Sequence, residues 1–402
     1  MSKSPTRTEV VFVEDQRGLA AAVQAISQAP VVGFDTEFVG ESTYEPQLCL
    51  LQVSTPERIL LIDPLSRIDL REFWLMLTAP GREVVSFGAR EELLFCLRYA
   101  ARLPGSLFDP QVAAGLVGFG YPISHTDFVR RVLNIDLEPS ESYTDWLRRP
   151  LSEQQLRYAA ADVRHLLAAH RALIDRAERM GRLGWIKSEC ERLLELVTES
   201  QREERWWRLP GGISRLDGRT RAVLRELWRW RENRARAANL PPRRVMGDAL
   251  LVQIARRSPR DIGGLVALRG MARGHLRNAG AEIIAAVRAG LTVPEEKLPA
   301  LVAAVRHDDP PQVAILGQFL TIFVKTIAFE LQVDASLLAA TSDLQEVVRW
   351  HLGSDDDGPP HVLTGWRGEI LEPVLVELLE GKRSVRVRDV TSPSPICIDV
   401  CD

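Results

Sequence analysis

The chain opens with short apolar runs that alternate with polar breaks. Val, Ile and Leu crowd into "EVVFV" (9–13), "VVGFDTEF" (31–38), "LCLLQVS" (48–54), "RILLIDP" (58–64) and "EVVSF" (83–87). Each run has the length and residue types of a β-strand. Between the first two lies "RGLAAAVQAISQA", an Ala-rich stretch that predicts a helix. The second, third and fourth runs are parted only by short polar stretches such as "TPE", which suits antiparallel neighbours rather than helical crossovers. From about residue 88 the pattern is nearly all helical. This predicts a three-stranded antiparallel meander with flanking helices, an α/β domain that lacks the doubly wound order of a dinucleotide fold.

Further along, "RLPGGISRLDGR" (208–219) reads as a linker and a helix start. Residues 219 to 290 are helical, interrupted at "NLPPRRV" and "RRSPRDIGG". A second helical region runs from about 294 to 381, with "DDPPQ" and "GSDDDGPPH" as loops. The closing "KRSVRVRDVTSPSPICIDVCD" reads as a poorly anchored tail. A chain of 402 residues exceeds one ordinary core, so several domains are expected.

Hydrophobic residues make up 46% and charged residues 26%, which fits a globular protein. No apolar run approaches the roughly 18 residues of a membrane span, and the polar start lacks the apolar core of a secretion signal. A cytoplasmic protein without membrane contact is expected. The five cysteines are scattered without a C-x-x-C pair, which points to neither a disulfide framework nor a zinc site. No G-x-x-x-x-G-K-[ST] occurs, so an ATP-driven helicase is excluded. The net charge of −3 hides an asymmetry. Residues 205–290 hold 19 Arg, no Lys and 6 acids, a balance of +13, which leaves −3 − 13 = −16 for the rest. Such a basic segment points to nucleic acid.

The second strand ends in two acids. Asp35 and Glu37 are i and i+2, so both side chains leave one face, while Phe34, Thr36 and Phe38 leave the other. Two carboxylates on one face suit a hard divalent cation, Mg²⁺ or Mn²⁺, though D-x-E alone recurs by accident at strand ends. In the helical "QLRYAAADVRHLL" (155–167), Tyr158 and Asp162 are i and i+4 and share a face.

Taken together, a strand D-x-E, an acid near a helix start and a late Y-x-x-x-D resemble the DEDD exonucleases of the tyrosine type. The chain resembles the ribonuclease D family of 3′→5′ exoribonucleases. "LFDPQVAAGLVG" (107–118) and "SESYTDWLRRPLSEQQLRYAAADV" (140–163) look like that family's connecting segments. The resemblance implies a ribonuclease H-like exonuclease domain (1–204), an all-α HRDC nucleic-acid-binding domain (205–292), a second HRDC-like domain (293–381) and a tail (382–402). It implies two divalent metal ions, Mg²⁺ or Mn²⁺, acting by a two-metal mechanism. Asp35 would be the shared ligand, Glu37 and Asp162 would complete the first shell, and Tyr158 would orient the attacking water. In the family a histidine is usually followed five residues later by an aspartate. Here "FGAREEL" (87–93) places Phe87 and Glu92 at those positions, with Glu91 the alternative if the register slips by one. Glu92 would hold the second metal, directly or through water, with one extra methylene.

The resemblance further implies RNA as partner, in particular tRNA precursors and small structured RNA, with nucleoside 5′-monophosphates as products and a monomer as the working form. Arg229, Trp230, Arg243 and Arg244 in the basic segment, and Arg148 and Arg149 before the Tyr158 helix, are the candidate RNA contacts. Trp228 falls at core spacing, while His125, His165 and His170 read as surface residues. Two other readings stand beside the nuclease: an RNA-binding protein whose hydrolysis is weak or lost through Glu92, and a DNA 3′→5′ proofreading activity.

Overall fold

All five apolar runs become strands in the computed structural model. The structure describes residues 8–137, 145–202, 204–209, 213, 216–271, 278–299, 309–353 and 358–401. Parts of the 140–163 segment, of the 208–219 linker and of both predicted loops after residue 300 therefore lie outside the described residues.

The strands are β1 (Glu9–Val13), β2 (Val31–Val39), β3 (Gln47–Ser54), β4 (Arg58–Ile62), β5 (Glu83–Val85) and β6 (Ser106–Phe108). They form one sheet in the order β1-β4-β3-β2-β5-β6. β3 pairs antiparallel with β4, whereas β1 with β4, β2 with β5, and β5 with β6 are parallel pairs. The expected β2, β3, β4 succession is thus the middle of a wider mixed sheet. β6 is absent from the sequence expectation because its "SLF" lacks the Val-rich run that marks the equally short β5.

Helices α1 (Gln16–Ser27), α2 (Arg71–Leu77), α3 (Arg90–Ala100), α4 (Pro110–Leu116), α5 (His125–Leu133), α6 (Glu153–Arg164), α7 (Leu166–Arg179) and α8 (Leu183–Arg202) accompany the sheet. Phe34 of β2 is wholly buried and meets Phe73 and Trp74 of α2, with ring centroids 6.3 and 6.1 Å away. On the opposite face of β2, Gly33 lets α7 come close. A Cβ there would stand 2.3 Å from Ser54 Oγ and 3.1 Å from Leu166 Cβ.

The chain divides into two compact units, one holding 1–37, 49–199 and 309–402, the other 38–48 and 200–308. In the second, α9 (Gly218–Ala238), α10 (Pro242–Val245), α11 (Asp248–Arg257), α12 (Ile262–Val266) and α13 (Gly280–Leu291) surround Val223, Leu224, Leu227, Leu251, Ile254 and Ile283. Trp228 packs against this cluster, as its spacing predicts. The same unit includes the loop after β2, whose Tyr44 N–H donates to Asn239 Oδ1 at 3.2 Å and whose ring lies under the Arg236 guanidinium at 5.2 Å.

The rest of the first unit consists of α14 (Pro311–Leu331), α15 (Ala335–Leu338), α16 (Thr341–His351), α17 (Gly365–Leu379) and a hairpin of β7 (Arg383–Val387) and β8 (Ile396–Val400). These helices are pinned to the sheet-bearing part by a buried ion pair. Arg367 Nη1 and Nη2 meet the two oxygens of Glu189 on α8 at 2.5 and 2.6 Å, and Trp366 donates to the same carboxylate at 2.9 Å. Two expectations are corrected here. The closing stretch is no loose tail: β7 pairs with β8, Arg383 bonds Glu377 on α17 and Cys401 N–H donates to the Lys382 carbonyl. And one helix, α14, is long and apolar enough to cross a membrane by length and composition, because its single Lys325 and late Glu330 are too few to break it. Core helices pass that test too, and α14 buries Val313, Leu320, Phe323, Val324 and Ala328 along one side.

Gly33→Ala should cost about 1–3 kcal/mol by forcing a methyl into a filled site, read as a lower urea midpoint. Adding Ser54→Ala removes the nearest atom and should recover the larger part of that loss. Equal stability of Gly33→Ala and the parent would contradict the packing described.

Candidate active site

β2 ends where the sequence places its acids, and three further side chains reach the same spot. Asp35 and Glu37 are half-buried on the face that Gly33 opens to α7. Tyr158 and Asp162 come from α6, whose start is fixed by a capping box. Ser152 Oγ accepts the Gln155 N–H at 3.2 Å, and the Gln155 side chain accepts the Ser152 N–H at 2.9 Å. Trp146, buried, packs beside the Tyr158 ring at 6.1 Å.

The fourth acid comes from the first turn of α3. Glu92 is 7% exposed and accepts the Thr36 hydroxyl at 2.8 Å, while Glu91 is turned to Arg90 at 2.5 Å. Of the two adjacent acids, Glu92 is therefore the one that faces β2. Thr36 points to the other face of β2 from Asp35, so Glu92 reaches the strand from that side.

The start of α3 depends on a residue that sequence reasoning missed. Asp109, buried at the N-cap of α4, accepts N–H bonds from Gly88, Ala89 and Gln111 at 3.0, 3.1 and 2.9 Å. It fixes the turn in which Gly88 takes φ +69° and from which α3 departs. Its signal was the "DP" pair in "LFDPQ", which marks an N-cap followed by Pro at N1.

The electrostatics bind these groups into one site. Asp35 is pushed well up by burial, then by Glu92, Asp162 and Glu37, against the pull of the Thr36 N–H. Glu37 rises to about 8, through burial first and Asp162 next. The fully buried Gln52 carboxamide beside it pulls the other way without reaching full hydrogen-bond geometry. Asp162 rises to about 7 through burial, and Glu92 is also pushed up, chiefly by burial. The Tyr158 phenol is driven upward by burial and then by Asp162, Glu37 and Asp35, so it keeps its proton. Among the described residues, burial and neighbouring acids, rather than any lysine or arginine, lead the shifts of these four carboxyls.

That donor set fits divalent cations: hard oxygens and like charges, with burial and neighbouring acids, rather than a cationic side chain, leading the shifts. Among the described residues, the one threesome with ligand atoms within 4.8 Å lies elsewhere, at Asp343, Glu346 and His361. There Arg192 and Arg367 oppose a cation and Asp343 already accepts the Ala340 N–H at 2.8 Å. Asp35, Glu37, Glu92 and Asp162 do not form such a threesome among the described residues.

The other assigned residues separate. Arg149 is corrected. Its Nε and Nη2 bond Asp63 at 2.5 and 2.7 Å, and further N–H groups bond the carbonyls of Cys49 and Trp146 at 2.7 and 2.8 Å, so its fork is spent inside the fold. Trp230 is half-buried, packing on the α9 core while its N–H donates to the exposed Glu282 at 2.8 Å. Arg229 is held by Glu204 and Glu226, and Arg243 makes one bond to Asp248 while 81% exposed. Arg148 and Arg244 are exposed, and among the described residues their guanidinium groups have no partner. The histidines are not surface residues. His170 is buried 2.8 Å from Glu83, and His125, largely buried, stands 3.7 Å from Asp162.

A mixed sheet with a D-x-E strand end faced by a Y-x-x-x-D helix defines a 3′→5′ exonuclease of the DEDD class. The 3′-5′ exonuclease family profile matches residues 10–177 and the HRDC domain profile residues 220–287. The chain is 32% identical to the ribonuclease D of Gluconacetobacter diazotrophicus over 92% of its length and 93% of that protein. It is 34% identical to that of Bartonella henselae over 90% of this chain and 88% of the relative. The crystal structure of Escherichia coli RNase D, described as an exoribonuclease involved in structured RNA processing, superposes with a TM-score of 0.79 at 29% identity, covering 93% of this chain and 99% of that one. The chain belongs to the ribonuclease D family and is a 3′→5′ exoribonuclease.

The raised carboxyls give a pH dependence. Folded without metal, Glu37 and Asp162 keep protons up to about pH 8 and 7 that the unfolded chain, with carboxyls near pH 4, has already released. The folded state then binds more protons, so its stability falls as pH rises from about 4 through 8. In EDTA the Tm should be lower at pH 8.5 than at pH 5.5, and Glu37→Gln should flatten the difference. Mn²⁺ should raise the Tm more at pH 8.5, where the ligands are ionised. A metal-free Tm that climbs across this range in the parent, with no change in slope for Glu37→Gln, would refute the charge balance.

Proposed function

We propose that the chain hydrolyses the last phosphodiester of an RNA 3′ end with two divalent cations, Mg²⁺ or Mn²⁺, and releases nucleoside 5′-monophosphates. The observation that carries this is the cluster of four carboxyls, Asp35, Glu37, Glu92 and Asp162, whose shifts are led among the described residues by burial and neighbouring acids rather than by a cationic side chain. Bound there, divalent ions would supply the positive charge that stabilises the attacking and leaving oxygens of an in-line displacement.

The chain's own groups have distinct parts. Asp35, at the strand end, is the acid most perturbed by the others and is assigned as the shared ligand, with Glu37 and Asp162 on one side and Glu92 on the other. Tyr158, whose phenol is pushed upward by burial and then by Asp162, Glu37 and Asp35, is assigned to orient the attacking water by hydrogen bonding. Arg148, Arg243 and Arg244 remain the exposed cations offered to RNA phosphates. The structured RNA processing named for Escherichia coli RNase D supports structured RNAs as substrates, and we take tRNA precursors and a monomeric working form as part of the proposal.

Asp35→Ala and Asp162→Ala should each abolish metal-dependent release of mononucleotides from 3′-labelled RNA. Tyr158→Phe should keep RNA binding and lose roughly 100-fold in kcat, the scale of a misplaced reactant. Glu92→Ala should be inactive and Glu92→Asp active. Full activity in both aspartate variants would end the assignment. An inert parent revived by Glu92→Asp would instead favour an RNA-binding protein with lost hydrolysis.

A further inference from the structure

His125 is the first residue of α5, behind the Ser124 cap whose hydroxyl accepts the Asp127 N–H at 3.1 Å. Its ring stands edge-on to Phe87, with centroids 5.5 Å apart at 74°, and tilted against Phe128 at 6.4 Å. Phe87 and Phe128 are themselves 4.9 Å apart, so the imidazole leans on an aromatic pair. Its Nδ1 lies 3.7 Å from Asp162 Oδ1. Its Nε2 is buried and has no hydrogen-bond partner among the described residues.

These contacts are not what packing alone requires. A leucine or phenylalanine would fill the same space against Phe87 and Phe128 without burying an unpaired ring nitrogen. The polar atom that faces a functional group is Nδ1, and the group is a carboxylate assigned as a metal ligand. Carboxylate ligands are in turn held by hydrogen bonds from outside the coordination shell, and such partners set ligand orientation. The separation of 3.7 Å is longer than a hydrogen bond. It closes when Oδ1 leans toward the ring, as catalytic hydrogen bonds do when a site is filled.

We propose that His125 is a positioning residue. Its Nδ1–H holds the Asp162 carboxylate in the orientation in which it receives a divalent cation, and Phe87 and Phe128 fix the ring that does so. The proposal rests on the reading of Asp162 as a metal ligand, and the test separates the two.

The test is Mn²⁺ binding to the full chain, followed by the electron paramagnetic resonance signal of free Mn²⁺, with metal-free thermal melts alongside. Asp162→Asn is the reference. His125→Phe, which keeps an aromatic ring, should weaken Mn²⁺ binding by roughly 10- to 100-fold while its metal-free Tm stays at or above the parent's. His125→Asn, whose amide nitrogen replaces Nδ1, should return to within roughly 3-fold of the parent. Parent-like Mn²⁺ affinity in His125→Phe, with Asp162→Asn impaired, overturns the role of His125 alone. Parent-like affinity in Asp162→Asn overturns the ligand assignment and the proposal with it. A lowered metal-free Tm in both His125→Phe and His125→Leu without a change in affinity, or failure of both to fold, assigns the ring to the core and also overturns it.

Discussion

The site gathers like charges where ionisation is disfavoured. Asp35, Glu37, Glu92 and Asp162 each rise above the ordinary carboxylate range, and burial leads the causes in every case. Left to itself such a cluster would protonate or spread apart. The surrounding fold resists the second course by mounting each acid on an element with little freedom. β2 is a central strand, α7 closes on it through Gly33, and α6 starts at a fixed capping box. Asp109 ties down the turn that launches α3. Rigid elements hold ligands more closely than loops do.

Much of this was legible because the decisive spacings are local. The i, i+2 acids of β2 and the i, i+4 pair of α6 follow from strand and helix periods alone. What escaped involves contacts distant in sequence. Arg149 meets Asp63, 86 positions away, and a surface arginine and a fork spent on a buried carboxylate look the same in a one-dimensional pattern. His125, His170 and Asp109 gain their meaning only when other elements fold over them. β6 and the β7–β8 hairpin were missed for another reason: "SLF" and "RSVRV" lack the dense Val, Ile and Leu runs that marked β1, β4 and β5, and β8 follows directly on a Ser-Pro stretch.

The basic segment shows how charge counts mislead about availability. A balance of +13 over residues 205–290 is real. Yet Arg225, Arg229, Arg231 and Arg234 of α9 each meet an acid within 3.3 Å. Arg231 is nearly buried and bonds Asp248 at 2.6 Å, which makes it part of the core of that unit. Exposed pairs are weak and can exchange a carboxylate for a phosphate at little cost, whereas a buried pair cannot be opened without leaving a charge unpaired. The balance of +13 already subtracts Glu226, Glu232, Asp248 and Glu282, so these pairs leave the net field as it is and decide only which guanidinium groups are open to contact.

Glu92 resolves in the same terms. An extra methylene adds reach and rotational freedom, and both loosen a ligand. Here one carboxylate oxygen is tied to the Thr36 hydroxyl at 2.8 Å, and the side chain is almost wholly enclosed. The freedom that the longer arm introduces is removed by a second attachment on the very strand that carries Asp35 and Glu37. One Glu92 oxygen is thereby tied to Thr36 on β2. Thr36, whose side chain leaves the opposite face of β2, thus fastens Glu92 to the strand that carries Asp35 and Glu37.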